Sequence, residues 1–240
     1  MVPRIRDLFA DLSGIESRCM EPDRYPWEAL EVMARLLASY AGDPDAIPRV
    51  ESSQPWPKEY PCYRECAQNG APLLFMTVDR PVHIRGGWGL KCDSDVYIRG
   101  PVVLGRGVRL RKGVVITGPC FIGDGVIIGQ GCRIKHSIIR REAVIEYSVR
   151  VAYSLIGEKA YVGQHAALNH ERLDGLPISI GGFEDGGPIE THAENLGLMA
   201  GDGSRVGGGA VIFPGTILKS NGIVPEGRIL NEPDSGETLL

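Results

Sequence analysis

The sequence predicts an all-β solenoid: a parallel β-helix of hexapeptide repeats with a small N-terminal helical cap. Three observations predict it. Stepping by six from Ile98 gives Leu104, Leu110, Ile116, Ile122, Ile128 and Ile134, all Leu or Ile. Four residues after each stands a second ladder, Val102, Val108, Val114, Cys120, Val126, Cys132 and Ile138, which is apolar and mostly compact. Glycine follows several rungs, as in Leu104-Gly105 and Ile128-Gly129, and most of the 32 glycines fall after residue 85. An α-helix needs period 3.6 and a lone strand period 2. Period six fits a coil of three short strands joined by turns, with the aliphatic residue inside and the compact one where the wall bends.

Taken in order, residues 1–80 read as a helical and irregular cap. Residues 26–41 place Trp27, Leu30, Met33, Ala34, Leu37 and Tyr40 on one stripe at helical spacing. Pro26 suits the first turn and Gly42 the stop. Residues 5–12 predict a second short helix, and residues 43–80 are rich in proline with little periodicity. A solenoid end exposes an apolar cross-section that must be covered, so Trp27 and Trp56 are expected to pack there. The β-helix is expected over 81–230. Its register slips near residues 139–145 and resumes at Ile156, Val162 and Leu168. It breaks over a Gly-, Asp- and Pro-rich loop at 169–195, expected to leave the coil and shape a ligand pocket. The repeat returns as Ala200, Val206, Ile212, Leu218 and Val224, and 231–240 reads as a tail.

Composition narrows the function classes. The 240 residues carry a formal net charge of −4, which does not suit nucleic-acid binding. The opening residues MVPRIRDLFADLSG lack the apolar run of a secretory signal, and no stretch reaches the length of a membrane span. A cytoplasmic protein without membrane partners is expected. The six cysteines are then expected to be reduced. Cys62 and Cys66 have no second pair, so no zinc site is expected.

IRGPVVLGRGVRLRKG, RIKHSII and NLGLMAGDGSRVGGGAVIFPGTIL resemble, over about residues 98–228, the hexapeptide acyltransferases. More narrowly they resemble the C-terminal acetyltransferase domain of sugar-1-phosphate nucleotidylyltransferases, the glucosamine-1-phosphate N-acetyltransferase type. YPWEAL is similar to stand-alone members of that group. The resemblance implies a left-handed coil, a homotrimer, acetyl-CoA as donor and a sugar phosphate or nucleotide sugar as ligand. The apolar outer positions Val102, Val103 and Ile127 suit a trimer. No Gly-rich phosphate loop occurs in residues 1–80, which are too few for the nucleotidylyltransferase domain, so that activity is not expected.

In this family a histidine takes the proton of the sugar amine, basic side chains hold the phosphate, and backbone groups line the pantetheine slot. The resemblance puts the phosphate-contacting positions on Arg111 in RLRKG and Lys135 in IKHS. Where the family reads His-x-x-Tyr, residues 147–153 read YSVRVAY. The base position is Tyr147, the tyrosine position Arg150, the aspartate position Tyr153, and a downstream asparagine is Tyr161. A tyrosine of pKa about 10 is a poor base at neutral pH. His165 is the candidate replacement base. Asn169 and His170 match the positions that reach the coenzyme, and Gly208 lies in the closing stretch that lines its slot.

Two functions follow. One is an acyltransferase-type domain with an altered catalytic motif that acts on or binds a sugar phosphate or nucleotide sugar. The alternative is a non-catalytic hexapeptide-repeat scaffold or ligand-binding subunit. A third pattern, the β-helix carbonic anhydrases of the γ class, uses three histidines, two spaced as His165 and His170 are. His136 is out of phase as the third, and no metal is expected.

Overall fold

The computed structural model describes residues 2–12, 18–41, 76–79, 82–84, 90–93, 95–181 and 187–230. Over these residues the chain winds into a parallel β-solenoid of about seven turns, a left-handed β-helix with few helices. Trp56, Cys62, Cys66 and the tail at 231–240 lie outside the described residues. No described helix is long and apolar enough to cross a membrane.

Each coil lays down three short strands, one per face. On the first face Ile98 pairs with Ile116 and Ile116 with Ile134, then Ile134 with Val151. The second face runs through Val102–Leu104, Leu155–Ile156, Met199–Ala200 and Ile217–Leu218. The third runs from Lys91–Cys92 through Arg109–Leu110, Ile127–Ile128, Val144–Ile145 and Tyr161–Val162 to Arg205–Val206 and Ile223–Val224. The first ladder from Ile98 to Ile134, and the later rungs Ile156, Val162, Leu168, Ala200, Val206, Ile212, Leu218 and Val224, all fill one interior cluster. Strands of two or three residues cannot stand alone; stacking the rungs buries one continuous core.

The register slip has a local cause at the first corner, between the first and second faces. Thr117 pairs with Lys135 and Cys120 with Ser137, so the two residues Gly118 and Pro119 face the single residue His136. The shorter corner is turned by a left-handed residue, His136 at φ 46° and Tyr153 at φ 49° one coil later. A serine follows each. Ser137 Oγ donates to the Lys135 carbonyl at 2.7 Å, and Ser154 Oγ to the Ala152 carbonyl at 2.8 Å. Ser154 N donates to Ser137 Oγ at 3.2 Å, and Leu198 N to Ser154 Oγ at 3.1 Å. This ladder satisfies groups that would otherwise be buried without partners. It also corrects one expected rung. Ile138 turns outward and Ser137 occupies the interior position in its place, because the corner is one residue short.

The outer side of the second face is not open. Val103, Phe121, Ile138, Leu155 and Met199 form a column under the N-terminal elements and the inserted segment. Helix α1 spans Ile5–Leu8, shorter than the expected 5–12, and α2 spans Glu28–Ala41. Of the predicted stripe, Trp27, Leu30, Met33 and Leu37 are buried against the column and Ala34 is half-buried, while Ala29, off the stripe, is buried as well. Ahead of α2, Tyr25 and Trp27 stack at 4.5 Å and the Arg4 guanidinium lies 3.6 Å over the Tyr25 ring. The described helices therefore lie along a flank rather than across an end. The outer residue Val103 is covered by the chain itself, while Val102 points inward with no exposure.

The segment after Leu168 leaves the first corner and includes an antiparallel pair, Ser179–Ile180 with Ile189–Glu190. Ile178, Ile180 and Leu196 join the flank cluster. Gly197 re-enters the coil where a Cβ would collide with Ser154 Oγ and the Ala152 carbonyl, so only glycine fits. At the second corner, between the second and third faces, the N-terminal segment is strapped on. Asp202 N donates to the Leu8 carbonyl at 2.8 Å and Ser220 Oγ to the same oxygen at 2.7 Å.

Candidate functional site

The residues singled out in the sequence gather at two corners. The third corner, between the third and first faces, carries Arg111 and, two coils on, Tyr147, with His165 and Gly208 in the next two coils. Backbone bonds fix this stacking: His165 N donates to the Tyr147 carbonyl at 3.3 Å, and Gly209 N to the Gln164 carbonyl at 2.9 Å. The rings of Tyr147 and His165 meet edge to face, 5.2 Å between centroids at 90°. Tyr147 is 41% exposed, and His165 is exposed. Both therefore face solvent from the same ridge. Arg150 stands on the strand that leaves this corner and Tyr161 on a strand that enters it. Arg205 lies 5.1 Å over the Tyr161 ring. Burial raises the Tyr161 pKa, and the Glu146 carboxylate adds to the rise. Arg111 sits 3.8 Å from Asp93, an exposed pair that screening makes weak.

The first corner carries Lys135, Asn169 and His170. Here His136, Tyr153 and His170 occupy equivalent positions in three successive coils. Their rings stack, His136 on Tyr153 at 4.8 Å and Tyr153 on His170 at 5.4 Å. The Lys135 ammonium lies 5.1 Å from the Tyr153 ring centroid, within cation–π range. Burial lowers the His136 pKa and Lys135 lowers it further, against a hydrogen bond to the Leu30 backbone. His170, 6% exposed, is lowered first by burial and then by Arg150 and Lys135, while Glu171 opposes. Both imidazoles are thus held toward the neutral form, in which each ring keeps one donor and one acceptor nitrogen.

Beside this ring stack opens a cleft of about 360 Å³, walled by Trp27, Leu30 and Glu31 of the N-terminal region and by residues 192–196 of the inserted segment. The inserted segment was expected to shape a pocket, and it lines this one. Sequence reasoning missed His136, Tyr153 and His192 as a group. The available signal was the one-residue slip in the hexad at position 136.

Arg111 and Lys135 were expected to hold one phosphate together. Within a single chain they lie at different corners. The three histidines are likewise divided: His165 stands at the third corner, His136 and His170 at the first. Among the described residues no group of three His, Cys, Asp or Glu side chains is placed to hold a metal ion.

Comparison with known proteins fits this architecture. Residues 98–232 match the family model described as the GMPPB C-terminal domain. The chain is 35% identical over 94 residues to the putative uncharacterized acetyltransferase YaiX of Escherichia coli strain K12, covering 39% of this chain and 40% of that protein. It is 34% identical over 121 residues to the bifunctional protein GlmU of Stutzerimonas stutzeri, covering 50% of this chain and 25% of that protein. The chain therefore spans less than half the length of these curated relatives. With more than half of its own length matched, the chain belongs to the GMPPB C-terminal domain family and is an acyltransferase-type left-handed β-helix of hexapeptide repeats.

Proposed function

We propose that the chain is an acetyl-CoA-dependent acetyltransferase for a sugar phosphate or nucleotide sugar, working from a rebuilt site at the third corner. The edge-to-face contact of Tyr147 and His165 carries this reading. It sets an exposed imidazole one coil from the family base position, where an acceptor amine could give up its proton. Tyr147 fixes the ring, and Arg150 and Tyr161 flank the ridge with a cation and a hydroxyl for the acceptor. Acetyl-CoA would supply the acetyl group as a thioester. The groups suited to hold its slender arm are the bare turn residues Gly207, Gly208 and Gly209, one coil beyond Gln164 and His165. A Cβ at Gly209 would meet nothing within 4 Å, so that turn position is open, whereas Gly207 lies against the Glu226 backbone.

A homotrimer is part of this proposal. The chain's own helices cover the second face, leaving the first and third faces and the corner between them for subunit contacts. Such an assembly could bring Lys135 and Asn169 of one subunit toward the third corner of another. Light scattering should give three chain masses at micromolar concentration; one chain mass would remove this part.

The test is acetyl transfer from acetyl-CoA to glucosamine 1-phosphate and related amino-sugar phosphates. The unmodified chain and Tyr147→Phe should both turn over. His165→Ala should lose about 10²–10⁴ in rate, the usual worth of a positioned general base. A fall of that size in Tyr147→Phe instead would make the phenol the base. Restoring the family residue with Tyr147→His should not raise the rate, because Arg150, Tyr153 and Tyr161 also differ from the motif. If no acceptor turns over while a nucleotide sugar binds, the scaffold reading replaces this one. The observation favouring that alternative is the tyrosine at position 147.

A further inference from the structure

We propose that the first face carries a binding strip for a diphosphate ester, gripped by Arg133 and Arg150. The two arginines are direct partners on adjacent parallel strands, and Val151 and Ala152 pair with Ile134 and Lys135 in the same register. Both side chains are exposed, and neither forms an ion pair among the described residues. Like charges set directly opposite each other on neighbouring strands repel and destabilise the sheet. This chain is acidic overall, at net charge −4, and yet it places them together.

The surroundings leave the repulsion uncompensated. From Val115 onward the strands of the first face contain no carboxylate: the aligned outer positions are Val115, Arg133, Arg150, Ala167, Val211 and Ile229. Lys135 extends the cationic row toward the first corner, with Tyr153 beneath its ammonium. Glu146 lies at the third corner and Glu171 beyond His170, and neither pairs with these arginines. The neighbours Val115 and Ala167 are short and uncharged, so the row is open above and below.

An anion suits this row, and the spacing selects its class. Neighbouring strands lie about 4.8 Å apart, and each guanidinium can grip phosphate oxygens in a bidentate fork. Two forks one strand apart suit two linked phosphates, whose greater charge and extra oxygens engage both guanidiniums more fully than a single phosphate does. Lys135 supplies a third positive charge for the remaining oxygens. Two sources carry this chemistry, the diphosphate of coenzyme A and that of a nucleotide sugar. The inference rests on the ligand class proposed above but not on acyl transfer, so binding and turnover separate the two.

The experiment is calorimetric titration of the full chain with inorganic pyrophosphate, orthophosphate, coenzyme A and UDP-N-acetylglucosamine at low salt. Pyrophosphate should bind at least about tenfold more tightly than orthophosphate. Arg133→Ala and Arg150→Ala should each weaken it by about tenfold, and Arg150→Lys should recover only part, because a lysine cannot form the fork. Melting temperature is the folding control. Removing one of two opposed cations should leave it unchanged or raise it, so lost binding cannot be ascribed to unfolding. Competition by coenzyme A alone assigns the strip to the donor, and by the nucleotide sugar alone to the acceptor. Equal binding of pyrophosphate and orthophosphate, or unchanged affinity in both alanine variants, overturns the inference. Lost acetyl transfer with intact diphosphate binding would instead count against the proposed function alone.

Discussion

Arg140 donates to Asp202 Oδ1 at 2.7 Å from a position only 1% exposed. The same carboxylate accepts Glu158 N at 2.7 Å and Ala10 N at 2.8 Å. Arg140 also donates to the Asp11 carbonyl and lies 5.3 Å from the Phe9 ring centroid. One buried ion pair thus ties the second corner to the N-terminal strap. Removing one partner of such a pair costs about 3–5 kcal/mol, because the other is left charged and unpaired. Arg140→Ala should lose stability of that order in urea unfolding and speed amide exchange over residues 5–11. Unchanged exchange there would show that the strap holds by apolar contact alone.

The serine ladder makes a second, smaller prediction. Ser154→Ala leaves Leu198 N without its acceptor in a fully buried place. A buried donor without a partner costs about 1–3 kcal/mol. The urea midpoint should fall with no change in slope, whereas Ser148→Ala at the exposed third corner should change it little.

The ring stack should make stability pH-dependent. His136 and His170 have folded pKa values below their usual 6.5 through burial and the cations Lys135 and Arg150, with Glu171 opposing at His170. The unfolded chain therefore binds more protons in this range. Their contribution is present above about 6.5 and is lost as pH falls through the lowered folded values. The melting temperature of the unmodified chain should drop between pH 7 and 5, and the double variant His136→Gln, His170→Gln should show a shallower drop. Parallel curves would mean that both rings protonate freely in the folded state.

The interior cysteines should be inert. Burial pushes the Cys120 thiol up to about 12 and the Cys132 thiol up to about 11. Thiolate is the reactive form, so a disulfide reagent at pH 8 should label neither until the chain unfolds. In a Cys62→Ser, Cys66→Ser background the native chain should titrate close to zero thiols, since Cys19 and Cys92 are also buried. Rapid native labelling of Cys120 would reveal frequent opening of the first corner.

The coil was legible because its period is strict. From Ile98 to Ile134 a side chain every six residues points inward, and nothing else in a sequence imitates that. The slip at 136 was visible only as a broken count. Nothing local says that one left-handed histidine replaces Gly118 and Pro119, or that Ile138 then turns outward. The α2 stripe was readable from Trp27 to Leu37, but the surface it covers was not. An amphipathic helix announces an apolar face without naming its partner, and here the partner is the outer column from Val103 to Met199. The link from Arg140 to the strap was invisible for a similar reason: sequence distance hides a contact with the Asp11 carbonyl that the fold brings together across 129 positions. At the site, Tyr147 and His165 are eighteen positions apart, near one coil length, so their proximity followed from the repeat. The separation of Arg111 from Lys135 followed from the same count but was masked by motif matching.

Covering one flank makes the prism lopsided. A bare three-sided coil would offer three similar walls to any neighbour, and copies could stack sideways in several ways. Here one wall is roofed by the N-terminal elements and the inserted segment, so among the described residues the other two walls are bare. The edge where they meet is the ridge that carries Tyr147 and His165. In the proposed trimer, copies that associate through the bare walls would meet around that ridge, so the ligand and the subunit contact would share one strip of surface. Occupancy of the ridge and the degree of assembly would then be linked quantities, each shifting the other.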